Sequence, residues 1–132
     1  MRILLDTNIL ISAYVFGGAV RSLVRELLRN GDELCVSEYI IQEFDAKLDE
    51  KWPEKAPVLK PLIHNSGFSI LKSTDRIVQS IRDVKDNAIV ADALDNSVDV
   101  ILTQDKDFLE SSLTSPRIIS VSEMWEYIKG LP

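Results

Sequence analysis

Met1-Arg2-Ile3-Leu4-Leu5-Asp6-Thr7-Asn8 opens the chain and decides its fold. Arg2 to Leu5 is a short apolar run bounded by polar residues and halted by a carboxylate, the pattern of a buried strand. A second run, Val98-Asp99-Val100-Ile101-Leu102-Thr103, stops in the same way at Asp105 and Asp107. Strands of a parallel sheet share one carboxyl edge, and ligands bind in the crevice outside it. Two acid-tipped strands in one small domain therefore bring carboxylates to one point.

Working outward, strand and helix patterns alternate. Asn8 to Val15 reads as a short helix broken at Gly17-Gly18. From Ala19 to Asn30, Val20, Leu23, Val24, Leu27 and Leu28 recur at helical spacing, and Gly31 supplies the stop. Arg21, Arg25 and Arg29 fall on another face of that helix, either a solvated stripe or a phosphate-contacting ridge. Leu34-Cys35-Val36 is a second strand. Ser37 then caps a helix to about Lys51 that buries Ile40, Ile41, Phe44 and Leu48, with Glu43 on its flank near Lys47. A helix after Pro53 turns Val58, Leu59, Leu62 and Ile63 inward. Phe68 to Leu71 is a third strand, followed by turn and helix over Asp75 to Arg82.

Asn87 to Asn96 is helical and apolar on nearly all sides, so it packs in the interior. Val98 to Thr103 is a central fourth strand. Arg117 to Val121 is the last, and Ser122 caps a closing helix whose Met124, Trp125, Tyr127 and Ile128 serve packing. This alternation predicts an α/β fold, a three-layer α/β/α sandwich around a central parallel sheet of four to five strands, forming one domain over residues 1–132.

Composition agrees: 132 residues, 45% hydrophobic and 27% charged, are ordinary values for one globular domain. The single Cys35 excludes an internal disulfide and reads as an inert core thiol, and the single His64 as a helix-terminal surface residue. Ile3-Leu4-Leu5 is too short for a signal peptide, and the longest uncharged stretch, Thr7 to Val20, falls short of a membrane span. A soluble, cytoplasmic protein is expected. A net charge of −6 argues mildly against a nucleic-acid partner. Setting aside Asp6, Glu43, Asp86, Asp105 and Asp107 removes five of those six excess charges and leaves −1. If these acids hold cations, the objection lapses.

Singly, each acid has a plain structural explanation. Asp6 and Asp86 are placed to cap helices, Glu43 to face solvent, and Asp105 and Asp107 to brace a turn through Asx bonds. Jointly they follow apolar strands or open the helix feeding one. Crowded carboxylates either take up protons or hold a cation. Oxygen donors without a Cys or His cluster point to Mg²⁺ or Mn²⁺ rather than zinc. Such ions bridge to phosphate, which makes phosphodiester hydrolysis the natural chemistry. No Ser-His or Cys-His pair and no Gly-rich phosphate loop competes.

Four segments in order carry a resemblance to a family. Leu4-Leu5-Asp6-Thr7-Asn8, Ser37-x5-Glu43, Asp86-Asn87-Ala88-Ile89-Val90-Ala91-Asp92-Ala93-Leu94 and Val100-Ile101-Leu102-Thr103-x-Asp105-x-Asp107-Phe108 together resemble the PIN domain, the nuclease fold of many prokaryotic toxin–antitoxin pairs. Each segment is weakly specific alone; the four in sequence are strongly so. The resemblance implies that Asp6, Glu43, Asp86 and Asp105 are catalytic metal-binding acids with Asp107 auxiliary, and that Thr7, Asn8 and Thr103 orient them. It further implies a Mg²⁺- or Mn²⁺-dependent endoribonuclease, commonly a homodimer silenced by an antitoxin protein. One position departs: Gln104 stands where the family usually has Gly, which puts the turn carrying Asp105 in question.

Two alternatives remain at this level. One is a non-catalytic PIN-like module binding RNA or protein. The other is a phosphohydrolase of the aspartyl-nucleophile type, which normally has a second Asp where this chain has Asn8.

Overall fold

The computed structural model describes residues 1–74, 84–111 and 113–130. The expected turn and helix over Asp75 to Arg82 lies outside the described residues. Five strands, β1 (Arg2–Leu5), β2 (Glu33–Ser37), β3 (Ser69–Leu71), β4 (Val100–Leu102) and β5 (Arg117–Ile119), form one sheet in the order β3-β2-β1-β4-β5, every pair parallel. Ile3, Leu4 and Leu5 are all fully buried. Successive strand residues face opposite sides, so this pattern requires cover on both faces of the sheet. The architecture is the three-layer α/β/α sandwich anticipated from the alternation, with five strands.

The cover comes from α1 (Thr7–Ile11), α2 (Gly18–Arg29), α3 (Glu38–Lys51), α4 (Ala56–His64), α5 (Val84–Asp95), α6 (Lys106–Leu109) and α7 (Val121–Lys129). Connections run from β1 outward through β2 to β3, then return across the sheet to β4 on the other side of β1. The crevice between the carboxyl ends of β1 and β4 is thus the topological switch point, where such sheets bind ligands. Leu5 pairs in register with Leu102, so the next residues, Asp6 and Thr103, stand side by side. The ladder reaches one residue further on each strand: Asp6 N–H donates to Leu102 O at 3.1 Å, and Thr103 N–H to Ile119 O at 3.1 Å.

Several boundaries differ from the sequence reading for local reasons. The helix after β1 does not run evenly to Val15. It widens at Ser12–Phe16, where Gly17 N–H reaches back to Ser12 O at 2.8 Å. Gly17 takes φ +80°, and an added Cβ would lie 3.2 Å from the Arg21 guanidinium, so a side chain there is both strained and crowded. The chain then turns by 109° into α2. Asp86 lies within the first turn of α5, which begins at Val84 rather than near Asn87.

Ser120, not Ser122, caps α7. It forms a reciprocal capping box with Glu123, a signal present in the sequence as Ser-x-x-Glu. A short α6, capped by Asp105, was not anticipated.

The core follows the apolar stripes: Val20, Leu23, Val24 and Leu27 of α2, Ile40, Phe44 and Leu48 of α3, and Ile89, Val90 and Ala93 of α5. Val58 and Leu62 were expected inward on α4 but are exposed, and Ala56 and Ile63 take the buried positions instead. Leu28 and Leu94 also reach the surface. Pro61 sits inside α4, and the run there is apolar on too many sides for spacing alone to select the buried face. Cys35 is buried, and burial pushes its thiol up to about 11, consistent with an inert core residue. His64 is exposed at the end of α4, as expected. Among the described residues no single helix is long and apolar enough to cross a membrane.

Candidate functional site

Asp6 caps α1 because β1 ends one residue before it. Its Oδ1 accepts from Thr7 N–H at 2.7 Å, and its backbone is extended, as an N-cap requires. Its other oxygen, Oδ2, accepts from the Thr103 hydroxyl at 2.8 Å, a bond that follows directly from the strand register. Thr103 Oγ1 in turn accepts from Asp105 N–H at 2.9 Å, and Asp105 Oδ1 accepts from Asp107 N–H at 2.8 Å. A hydrogen-bonded chain thus links the ends of β1 and β4 through the fully buried Thr103. The plain capping roles of Asp6 and Asp105 are therefore real, and they fix where these carboxylates point.

Glu43 arrives from α3, six residues after the Ser37 cap, whose Oγ accepts from Ile40 N–H at 3.1 Å. The Thr7 hydroxyl donates to Glu43 Oε1 at 2.6 Å, joining α3 to the start of α1. Asp86 is buried in the first turn of α5. An acid there is also favoured by the helix dipole. Asp6, Thr7, Asn8, Glu43, Lys47, Asp86 and Asp105 together line one cleft of about 150 Å³ at the switch point. Four carboxylates from four distant segments border one space.

The structure brings together most of the expected residues, with clear exceptions. The Asp107 carboxylate does not line the cleft; this residue acts through its backbone N–H on Asp105. Among the described residues no group of three or more acids, histidines or cysteines is arranged to hold a metal ion as it stands. The carboxylates border the cleft without closing on a common point.

Electrostatics reveals the cost of this arrangement. Burial pushes the Asp6 carboxyl up to about 6 from an ordinary 3.8, and Asp105 and Glu43 add repulsion in the same direction. The bonds from Thr103 and Thr7 oppose the rise but do not cancel it.

Gln104, in place of a glycine, is accommodated without strain. Ser97 has the positive φ among described non-glycine residues, so Gln104 needs no left-handed backbone, and its exposed amide accepts from Ser12 Oγ at 2.9 Å. Arg21, Arg25 and Arg29 are exposed but stand apart from the acids. Arg21 Nε donates to Ala13 O at 2.8 Å, bracing the widened turn, and Arg29 pairs with Glu26 at 2.9 Å. Arg21 and Arg25 border a larger cavity of about 380 Å³ between α2 and α4, which is mostly apolar and holds none of the acids. Chemistry therefore selects the smaller cleft despite its size.

Two polar residues went unassigned in the sequence. Lys47 lines the cleft and donates to Asn8 Oδ1 at 3.1 Å. Its position one turn after Glu43 was the available signal. Asp92 is almost fully buried on α5 and accepts from Ser73 Oγ and Thr74 N–H, both at 2.8 Å, tying the end of β3 to that helix.

Several solved structures share this fold. VapBC2 of Rickettsia felis, solved with a promoter DNA fragment, is similar with a TM-score of 0.67 at 16% identity, over 91% of this chain and 98% of that one. VapBC-1 of nontypeable Haemophilus influenzae gives 0.65 at 17% identity, over 92% and 99%. VapC20 of Mycobacterium tuberculosis, a toxin that cleaves the sarcin–ricin loop, gives 0.61 at 15% identity, over 81% and 92%. At these identities the likeness concerns the fold. No curated protein matches by sequence. The sequence profile described as "PIN domain" matches residues 2–107, a span that contains β1 to β4 and every acid of the cleft, and the chain belongs to the PIN domain family.

Proposed function

We propose that the protein is a metal-dependent endoribonuclease that hydrolyses RNA phosphodiester bonds, acting as the toxin of a toxin–antitoxin pair in the cytoplasm. The single observation carrying this reading is that four carboxylates, distant in sequence, line one cleft at the switch point. The donor set fits a hard cation: every lining acid offers oxygen, and a divalent ion would offset the burial that chiefly raises the Asp6 pKa together with the smaller repulsion from Asp105 and Glu43. In this reading Asp6, Glu43, Asp86 and Asp105 hold Mg²⁺ or Mn²⁺. When bound, such an ion supplies Lewis-acid neutralisation of phosphate charge and activation of water.

The remaining work falls to the chain. The Thr103 hydroxyl donates to the Asp6 carboxylate and accepts from the Asp105 backbone N–H, and the Thr7 hydroxyl donates to Glu43. Fixed acceptors need no reorganisation when charge develops in the reaction. Glu43, half-buried in the cleft lining, would help position the attacking water. The aspartyl-nucleophile reading loses support, because both Asp6 oxygens already accept hydrogen bonds and Asn8 offers no acid two residues on. The protein partners that accompany the reading are an antitoxin, by analogy with the VapBC assemblies, and a second copy of the chain.

The test is cleavage of single-stranded RNA by purified protein with Mn²⁺, with chelator, and by Asp105→Asn. Wild type should cut only with metal, and Asp105→Asn should lose at least about 100-fold in rate, the scale expected when a transition-state contact is removed. Equal cutting by both proteins would reveal a contaminant. No cutting with any divalent metal would leave a binding module.

A further inference from the structure

Among the described residues, the acidic cleft contains one cation of its own. Its described lining sets four carboxylates beside the ammonium of Lys47. Lys47 lies one helical turn beyond Glu43 on α3, so the two side chains emerge from the same face. Its ammonium donates to the neutral amide oxygen of Asn8 at 3.1 Å, and none of the ion pairs among the described residues involves it. A lysine has three N–H donors. With one held by Asn8, two remain for an acceptor entering the cleft. Resting the ammonium on an amide also fixes its position without neutralising its charge.

An RNA strand brings negative phosphate toward a space already crowded with negative groups. A divalent ion offsets part of that charge, and among the described lining residues Lys47 adds a further positive charge. We propose that Lys47 contacts the substrate, donating to a non-bridging oxygen of the RNA phosphodiester while Asn8 holds it in place. This rests on the ribonuclease reading and assigns it a phosphate-gripping residue beyond the acids. Asn8, expected to orient the acids, instead orients this cation.

The experiment has two readouts. The first is binding of a labelled single-stranded RNA oligonucleotide at several salt concentrations, with Ca²⁺ in place of Mn²⁺ and strand integrity checked on a gel. The second is cleavage kinetics in Mn²⁺. Loss of one phosphate contact should reduce the slope of log affinity against log salt by about 0.7 in Lys47→Gln, while Lys47→Arg keeps the wild-type slope. In kinetics, Lys47→Gln should lose about 10- to 100-fold in kcat/KM, with Lys47→Arg recovering part of it. Lys47→Met, which retains the aliphatic stem, gives the same readings if the Gln variant folds poorly. A wild-type salt slope in the Gln and Met variants, or kcat/KM within about twofold of wild type, would overturn the proposal. Failure of the ribonuclease reading is separable: wild type would then cut no faster than Asp105→Asn, while the salt slope would still judge Lys47.

Discussion

Asp6→Asn should make the metal-free protein more stable at pH 8 while removing its RNA cleavage. In the folded chain the Asp6 carboxyl titrates at about 6 because it is buried beside Asp105 and Glu43. Unfolded, it returns to an ordinary value near 3.8. The folded state therefore binds more protons between those values, and stability falls as pH rises through this window. Below about pH 4 the carboxyl is neutral in both states and the penalty is absent; above about pH 6 it is fully present. Two pKa units correspond to about 3 kcal/mol. Asparagine escapes that penalty but surrenders one charge-assisted acceptor, so a net gain of about 1 to 2 kcal/mol is expected, a rise of several degrees in Tm. Melting curves from pH 4 to pH 8 should show the variant gaining on wild type as pH rises. A variant less stable at pH 8 would mark Asp6 as a helix cap and nothing more.

Thr103→Val should be the most damaging conservative change in the chain. Valine fills the same volume, so packing is preserved. The substitution strands two groups, Asp6 Oδ2, which loses its donor, and Asp105 N–H, which loses its acceptor. Each buried polar atom left without a partner costs about 1 to 3 kcal/mol. A loss of about 2 to 5 kcal/mol, on the order of 10 °C in Tm, is expected by calorimetry. Thr103→Ser retains the hydroxyl and should recover most of the stability and the cleavage rate. Damage from Ser equal to that from Val would contradict the assignment of this position's role to the hydroxyl and its two bonds.

The central features were legible because they depend on period and order. Buried strands ending in acids required a parallel sheet, and the sheet's shared edge required Asp6 and Asp105 to meet. The side-by-side placement of Asp6 and Thr103 depends on register, which pairs Leu5 with Leu102 and which no local pattern encodes. Ser120 is marked by its capping box with Glu123, a more specific signal than the hydroxyl of the neighbouring Ser122. Val58 and Leu62 illustrate a harder case: α4 offers apolar residues on several sides, and its partner α3 selects which are covered. Lys47 shares a helix face with Glu43, but its bond to Asn8 of α1 depends on the tertiary packing of α1 against α3, which local spacing does not encode.

The whole account stands on whether the cleft gathers a divalent cation, and calorimetric titration of Mn²⁺ into metal-free protein at pH 8 measures this directly. Wild type should show a saturable site that Asp6→Asn and Asp86→Asn weaken at least about tenfold, since each removes a charged donor. Metal at 100 times its Kd should then add about 2.7 kcal/mol of stability to wild type and far less to either variant. No saturable uptake by wild type, or equal uptake by all three proteins, would contradict the account.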